Sequence, residues 1–368
     1  MEEKEINTEE YETEEATENP TGLSYRPSID RLRIILMFFM CISLFGFPTV
    51  VGNFVQTICG FVPIAFFIIS GYLVLRQDEN RTARIKRAIK RTAIVFFVLL
   101  IVYFLVNRFY YQHLDISIWS LMVSKRFWFN FVFMNVWQFK IGSSIWYVQA
   151  LLYAYIIIYF LDKWKLLRFD LLIAVALILL TVLTGEFAGV LKWNIAGYNY
   201  IPGNFFTRAL PYILLGGFIS RKMNTPNTKK SVLCYFGIVI GVILVVAEIV
   251  VLGLLGVPGY YGHLIGMPIM AISICLLAFK KDDTSGFEER LNMSRWHINC
   301  IYYFCPLASA IVAFVLTRFD NEFLFGTIGY IGILTFIICF CLALIITFIS
   351  NAISSSINDA KEMRETDD

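Results

Sequence analysis

Asp30 and Arg33 stand three residues apart at the head of an unbroken apolar run, Ile34 to Phe47. On a helix this spacing puts both on one face. An arginine there is suited to phosphate oxygens, and it equally suits an anchor at the basic surface of a membrane. After the next apolar stretch comes a second basic run, Arg84, Lys86, Arg87, Lys90 and Arg91. It would trap phosphate or an anionic lipid, and it is also the ordinary content of a basic membrane loop. Ser70-Gly71 lies inside an apolar segment, where glycine permits close backbone approach and serine bonds across helices. Helix packing is the role this suggests, since no base stands near Ser70 in sequence. Arg208 and Glu248 fall in or at the edge of apolar runs, where a lone charge is costly. They are expected to pair, as a structural ion pair or facing a substrate. His263 opens another apolar run and is either a base or a hydrogen-bonded interface residue; His113 and His297 flank other runs. The eight cysteines all lie in apolar segments without metal-ligand spacing. They read as small buried hydrophobes rather than metal ligands or disulfides.

The elements that must hold these residues are membrane helices. The chain of 368 residues is 58% hydrophobic and 16% charged, with mean hydropathy +0.67. A soluble domain carries about 25% charged residues, so the bilayer must be part of the solvent. Apolar runs of the length that crosses a ~30 Å hydrocarbon core recur near residues 34–52, 57–75, 92–107, 145–161, 169–184, 207–219, 231–254, 263–279, 298–316 and 324–349. Lys and Arg concentrate in alternate loops, which predicts about ten helices with both termini in the cytoplasm. The fold class is therefore an all-α polytopic membrane bundle. Residues 1–25 form a Glu- and Thr-rich segment too polar to offset its ordering entropy and are expected to be a disordered tail; residues 350–368 form a second cytoplasmic tail. The polar N-terminus lacks the pattern of a cleaved signal, so the first helix directs insertion. Residues 108–144, with Trp119, Trp128 and Trp137, are too apolar for a free loop and are expected to lie as amphipathic helices at the outer surface.

Asp30-x-x-Arg33 opens the first helix, and Phe66-Phe67-x-x-Ser70-Gly71-Tyr72-Leu73 ends the second. Lys86-Arg87 with Arg91, Ile145-Trp146-Tyr147, the stretch from Arg208 to Gly217, and Ile301 to Pro306 follow in order. Together, over residues 26–349, this series resembles the acyltransferase 3 family of multi-pass membrane O-acyltransferases. The resemblance implies transfer of an acyl group, often acetyl, from a cytoplasmic thioester to an extracytoplasmic or lipid-linked glycan. It implies acetyl-CoA or another acyl-CoA as co-substrate, no permanently bound cofactor and no metal. Its partners would be membrane lipid and a glycan or lipid-linked sugar acceptor, with no nucleic acid, in the plasma (cytoplasmic) membrane. Asp30, Arg33, Arg87 and Arg91 take the donor-binding positions; Ser70, Trp146, Arg208 and Glu248 are acceptor-side or helix-packing residues.

One departure stands out. The family's histidine on the first helix falls on Leu44, and its later histidine before a proline falls on Cys305. Leucine cannot accept a proton, and loss of a general base removes a contribution of about 10²–10⁴ in rate. Cys305 could carry an acyl group as a thioester, but its apolar neighbours Phe304 and Pro306 favour an inert thiol. His263 is the remaining substitute base. Two readings follow: an acyltransferase of non-standard mechanism, or a catalytically inactive relative that binds or helps export a glycan or lipid. An unrelated secondary transporter is disfavoured by the few intramembrane charges and the lack of a visible repeat.

Overall fold

The computed structural model describes residues 27–45, 50–76, 80–113, 117–142, 144–190, 204–222, 229–256, 264–280, 295–318 and 331–366. Among them the chain is helical, without strands. The helices are α1 (Pro27–Phe45), α2 (Val50–Ile58), α3 (Phe61–Val74), α4 (Arg81–His113), α5 (Ile118–Met122), α6 (Lys125–Val132), α7 (Ile145–Lys163) and α8 (Asp170–Thr184). After them come α9 (Glu186–Val190), α10 (Phe205–Arg208), α11 (Leu210–Lys222), α12 (Lys229–Leu254), α13 (Gly266–Lys280), α14 (Arg295–Arg318) and α15 (Ile331–Thr366). Each expected apolar span has its helix, and seven helices are long and apolar enough to cross a membrane. The protein is a multi-pass helix bundle. The expected tail at residues 1–25 lies outside the described residues, whereas the last helix continues to Thr366.

α1 begins at Pro27, earlier than the apolar run, because a proline's missing amide proton costs nothing in a first helical turn. The charged head is thereby part of the helix. α1 is also the hub, packing against α3, α13, α14 and α15. α4 shows how one helix serves two solvents. Phe96, Leu99, Tyr103 and Asn107 are buried on one face, while Ile94, Val98, Ile101, Leu105 and Phe109 stand exposed on another. The second stripe is apolar and outward, as a lipid-facing surface must be.

Polar contacts tie one end of the bundle together. Ser28 donates to the carbonyl of Ala278 at 2.7 Å. Arg81 and Thr82 at the start of α4 hold Asp162 at the end of α7, at 2.6 and 2.7 Å. Arg221 pairs with Asp170, and Arg84 donates to the carbonyls of Val74 and Arg76, closing the C-terminal end of α3 with a cation as its dipole favours. These contacts gather the basic ends of α1, α3, α4, α7, α8, α11 and α13 on one side. At the opposite end the Trp-rich segment docks onto α4. Buried Asn107 pairs with both backbone groups of Ile141, accepting its N–H at 3.1 Å and donating to its carbonyl at 2.7 Å. Phe127 and Phe139 bury themselves there, while Trp119 and Trp128 face out, so the segment is apolar on both its buried and its exposed sides.

The tightest crossing is between α3 and α11. A Cβ added at Gly71 would lie 1.9 Å from the carbonyl oxygen of Ile213, and one at Gly216 would lie 2.1 Å from that of Ile68. Backbone meets backbone, so no side chain can yield. Gly71→Ala is expected to destabilise the protein by about 1–3 kcal/mol through overpacking, read as a lower thermal midpoint in detergent. Gly253→Ala, where nothing lies within 4 Å, should leave that midpoint unchanged.

Candidate functional site

The face of α4 at the basic end carries Arg84, Arg87, Ala88, Arg91, Thr92 and Val95, a run of i, i+3, i+4, i+7 positions that share one side of a helix. That side lines a cavity of about 280 Å³ together with Arg33 of α1, Ser70, Leu73 and Val74 of α3, Leu151 and Tyr155 of α7, and Asn299 and Tyr303 of α14. Its volume sits at the lower edge of the ~300–1,000 Å³ typical of small-molecule sites. Four arginines line it and no acidic residue does. Arg33 is itself buried and donates to Asp30 at 3.3 Å, the i, i+3 pair that their spacing predicts. Arg87 and Arg91 are exposed, so the mouth is open toward the basic side while Arg33 is the inner cation. The lining mixes guanidiniums with the apolar side chains of Leu73, Val74, Val95 and Leu151 and the hydroxyls of Ser70 and Tyr155, and Arg84 donates to the Val74 carbonyl at 3.3 Å. Such a cavity can take an anionic group together with a less polar one.

One turn from Ser70 along α3 the bundle is filled with rings. Tyr147 stacks on Phe67 with centroids 4.7 Å apart and meets Tyr302 edge-on at 5.3 Å. Trp146 stands against Phe67 at 6.4 Å. Tyr302 donates to the carbonyl of Ser144, and Tyr103 donates to that of Tyr303, one turn before Pro306 interrupts the helical ladder. This aromatic layer divides the arginine cavity from the opposite end, where Arg208 lies over the ring of Trp146 at 5.3 Å.

The structure thus brings Arg33, Arg87, Arg91 and Ser70 to one cavity, with Asp30 behind Arg33. Gly71, by contrast, serves the α3–α11 crossing. Trp146 and Arg208 belong together at the other end. Glu248 belongs to neither site, and the expected ion pair between Arg208 and Glu248 does not form. Glu248 instead accepts from the backbone N–H groups of Ile265 and Gly266 at 3.1 and 3.2 Å. Those first donors of α13 have no acceptor within their own helix, and a carboxylate complements them in both hydrogen bonding and dipole.

At the family's histidine positions, Leu44 packs against the apolar core, and Cys305 is fully buried with its sulfur 3.2 Å from that of Cys41. All cysteines are free, and Cys341 alone is exposed. His263 lies outside the described residues, as do the side chains of His113 and His297. No cluster of potential metal ligands occurs among the described residues. Tyr155, Thr92 and Asn299 were not singled out from sequence, and Tyr303 entered only as part of the Ile301–Pro306 motif. Only Thr92 carried a usable signal, its place on the Arg84–Arg87–Arg91 face.

The family model described as an acyltransferase domain matches residues 26–359. No curated protein and no solved structure gives a match. With nearly the whole chain covered, and with the Asp30–Arg33 and Arg87–Arg91 positions assembled inside a bundle of membrane helices, this protein belongs to the acyltransferase 3 family of membrane acyltransferases.

Proposed function

We propose that this protein transfers an acyl group, acetyl or another short one, from acyl-CoA to a hydroxyl of an extracytoplasmic or lipid-linked glycan, in the plasma membrane. The observation that carries the donor half is the convergence of Arg33, Arg84, Arg87 and Arg91 on one cavity without a carboxylate in its lining. Phosphates of coenzyme A would sit among the guanidiniums, whose planar forks suit them. The pantetheine arm would run inward along Leu73, Val74, Val95 and Leu151 toward Ser70 and Tyr155. Asp30 acts as a positioning residue, fixing the Arg33 fork. In the reaction the acceptor oxygen bonds to the acyl carbon and the C–S bond breaks. Coenzyme A leaves as the thiol, taking up the proton that the hydroxyl gives up.

A second reading has a specific observation in its favour. The two positions where the family carries histidine hold Leu44, packed in the core, and Cys305, packed on Cys41. A chain so built could hold a glycan or lipid and help export it without turning over a thioester. Labelled acetyl-CoA supplied to purified protein with glycan acceptors separates the two. Transfer of label to the acceptor supports the enzyme; glycan binding without any thioester turnover supports the carrier.

Two variant series sharpen this. Arg87→Gln and Arg91→Gln are each expected to raise KM for acetyl-CoA about tenfold, the worth of one charge-assisted contact, while leaving kcat nearly unchanged. The wild-type KM should rise with salt, because both groups are exposed and screened. Leu44→His, alone and with Cys305→His, is expected to raise kcat toward the 10²–10⁴ range that a general base contributes. No gain in a folded double variant would count for the carrier reading.

A further inference from the structure

The end of the bundle opposite the arginine cavity holds a polar cluster of different make. Arg208 is half-buried, lies over the Trp146 ring at 5.3 Å, and forms no ion pair among the described residues. A guanidinium half-buried at an apolar boundary, with no carboxylate paired to it among the described residues, suits an anionic partner. Two acceptors on the residues around Trp146 are also unsatisfied. Gln149 Oε1 and Asn135 Oδ1 accept no hydrogen bond, though the residues are only 1% and 4% exposed. The amide nitrogens fix which way each group points. Asn135 Nδ2 donates to the Trp146 carbonyl at 2.9 Å, and Gln149 Nε2 donates to the Phe131 carbonyl at 2.7 Å and to the Tyr153 hydroxyl at 3.1 Å. The oxygens are what remain to be used.

These groups form one patch. Trp146, Gln149 and Tyr153 share a face of α7 by helical spacing. The α10 turn lies on that face, with Phe205 edge-on to Tyr153 at 4.9 Å. Asn204 holds the turn in place, accepting from the Phe206 N–H and donating to the Phe133 carbonyl, both at 3.1 Å. Arg208 is thereby a cation held over the Trp146 ring, and Trp146 links it to the two acceptors that lack donors, through the Asn135 bond to its carbonyl and through Gln149 one turn along α7. Hydroxyl groups would satisfy the acceptors, and an anionic oxygen would satisfy the guanidinium.

We propose that Arg208, Trp146, Gln149 and Asn135 form an acceptor subsite that selects a sugar bearing an anionic group. That group is either a carboxylate on the sugar or the phosphate joining the sugar to a lipid. The proposal rests on the reading of the protein as one that handles a glycan, and it adds that a neutral glycan is the poorer ligand.

The test uses the full chain in nanodiscs of neutral lipid. One arm titrates methyl glucuronide against methyl glucoside, its neutral counterpart. The other compares nanodiscs carrying a polyprenyl-phosphate glucoside with nanodiscs carrying the polyprenyl glucoside that lacks the phosphate. In at least one arm the charged member should bind about tenfold tighter, and that arm identifies the source of the anion. The preference should vanish in Arg208→Gln, weaken in Trp146→Leu, and persist in Arg91→Gln. Coenzyme A affinity should behave the other way, falling in Arg91→Gln and persisting in Arg208→Gln. Equal affinity for charged and neutral members in both arms with the unaltered protein overturns the proposal and requires no variant. A preference that survives in folded Arg208→Gln overturns it too. Loss of coenzyme A binding alone would strike the donor reading and leave this one standing.

Discussion

Four guanidiniums around one cavity in a membrane protein are the constraint to which the rest of this structure answers. Like charges repel by about 4 kcal/mol at 4 Å even with an effective dielectric of 20, and here Arg33 is buried. The fold holds them by ties outside the cavity. Asp30 neutralises Arg33, and the carbonyls that end α3 take the donors of Arg84. Asp162 fixes the first turn of α4 through Arg81 and Thr82, and with it the rotation that aims Arg84, Arg87 and Arg91 inward. Whatever repulsion those ties leave would be relieved by an anion in the cavity, as the proposed donor phosphates would supply.

The same rigidity separates two chemistries. α3, α7 and α14 each contribute polar groups to the arginine cavity; α3 and α7 place Phe67 and Tyr147 one and two turns farther along, and Tyr302 of α14 meets Tyr147 from between the cavity residues Asn299 and Tyr303. The stack keeps the cavity from opening straight onto the Arg208 cluster. Trp146 belongs to both regions, touching Phe67 on one side and Arg208 on the other. The backbone-to-backbone α3–α11 crossing at Gly71 and Gly216 fixes the α3 helix on which Phe67 and Ser70 ride.

Much of this was legible from the sequence because lipid imposes length and polarity directly. Runs able to span the hydrocarbon core located every long helix, and the Asp30–Arg33 spacing gave their contact. The twofold nature of the Ser70-Gly71 pair was less legible. Hydropathy cannot say that one residue faces a cavity and the next a backbone, since that depends on rotation about the helix axis. Rotation also explains the failed Arg208–Glu248 pair. Similar depth made the pairing reasonable, but Glu248 points at the bare amides that start α13, and such a cap leaves no trace in charge counts. Tyr155 and Asn299 were invisible for the complementary reason. A single tyrosine or asparagine in an apolar helix looks alike whether it lines a cavity or packs between helices.

The two substituted positions are coherent with each other. A histidine at the depth of Leu44, some 16 Å along α1 from Arg33 by helical rise, would need a hydrogen-bonding partner to be tolerated there. Here Leu44 joins the core, and Cys305 meets Cys41, three residues before Leu44 on the same helix. Thiols and leucine satisfy one another as soft, apolar neighbours. The arginine cavity makes no call on either position, since its charge is met at its own end by Asp30 and by the close of α3. Binding at the basic face and proton transfer at mid-depth are therefore physically separable in this fold, and the arginine cavity can persist whichever way the mid-depth chemistry has gone.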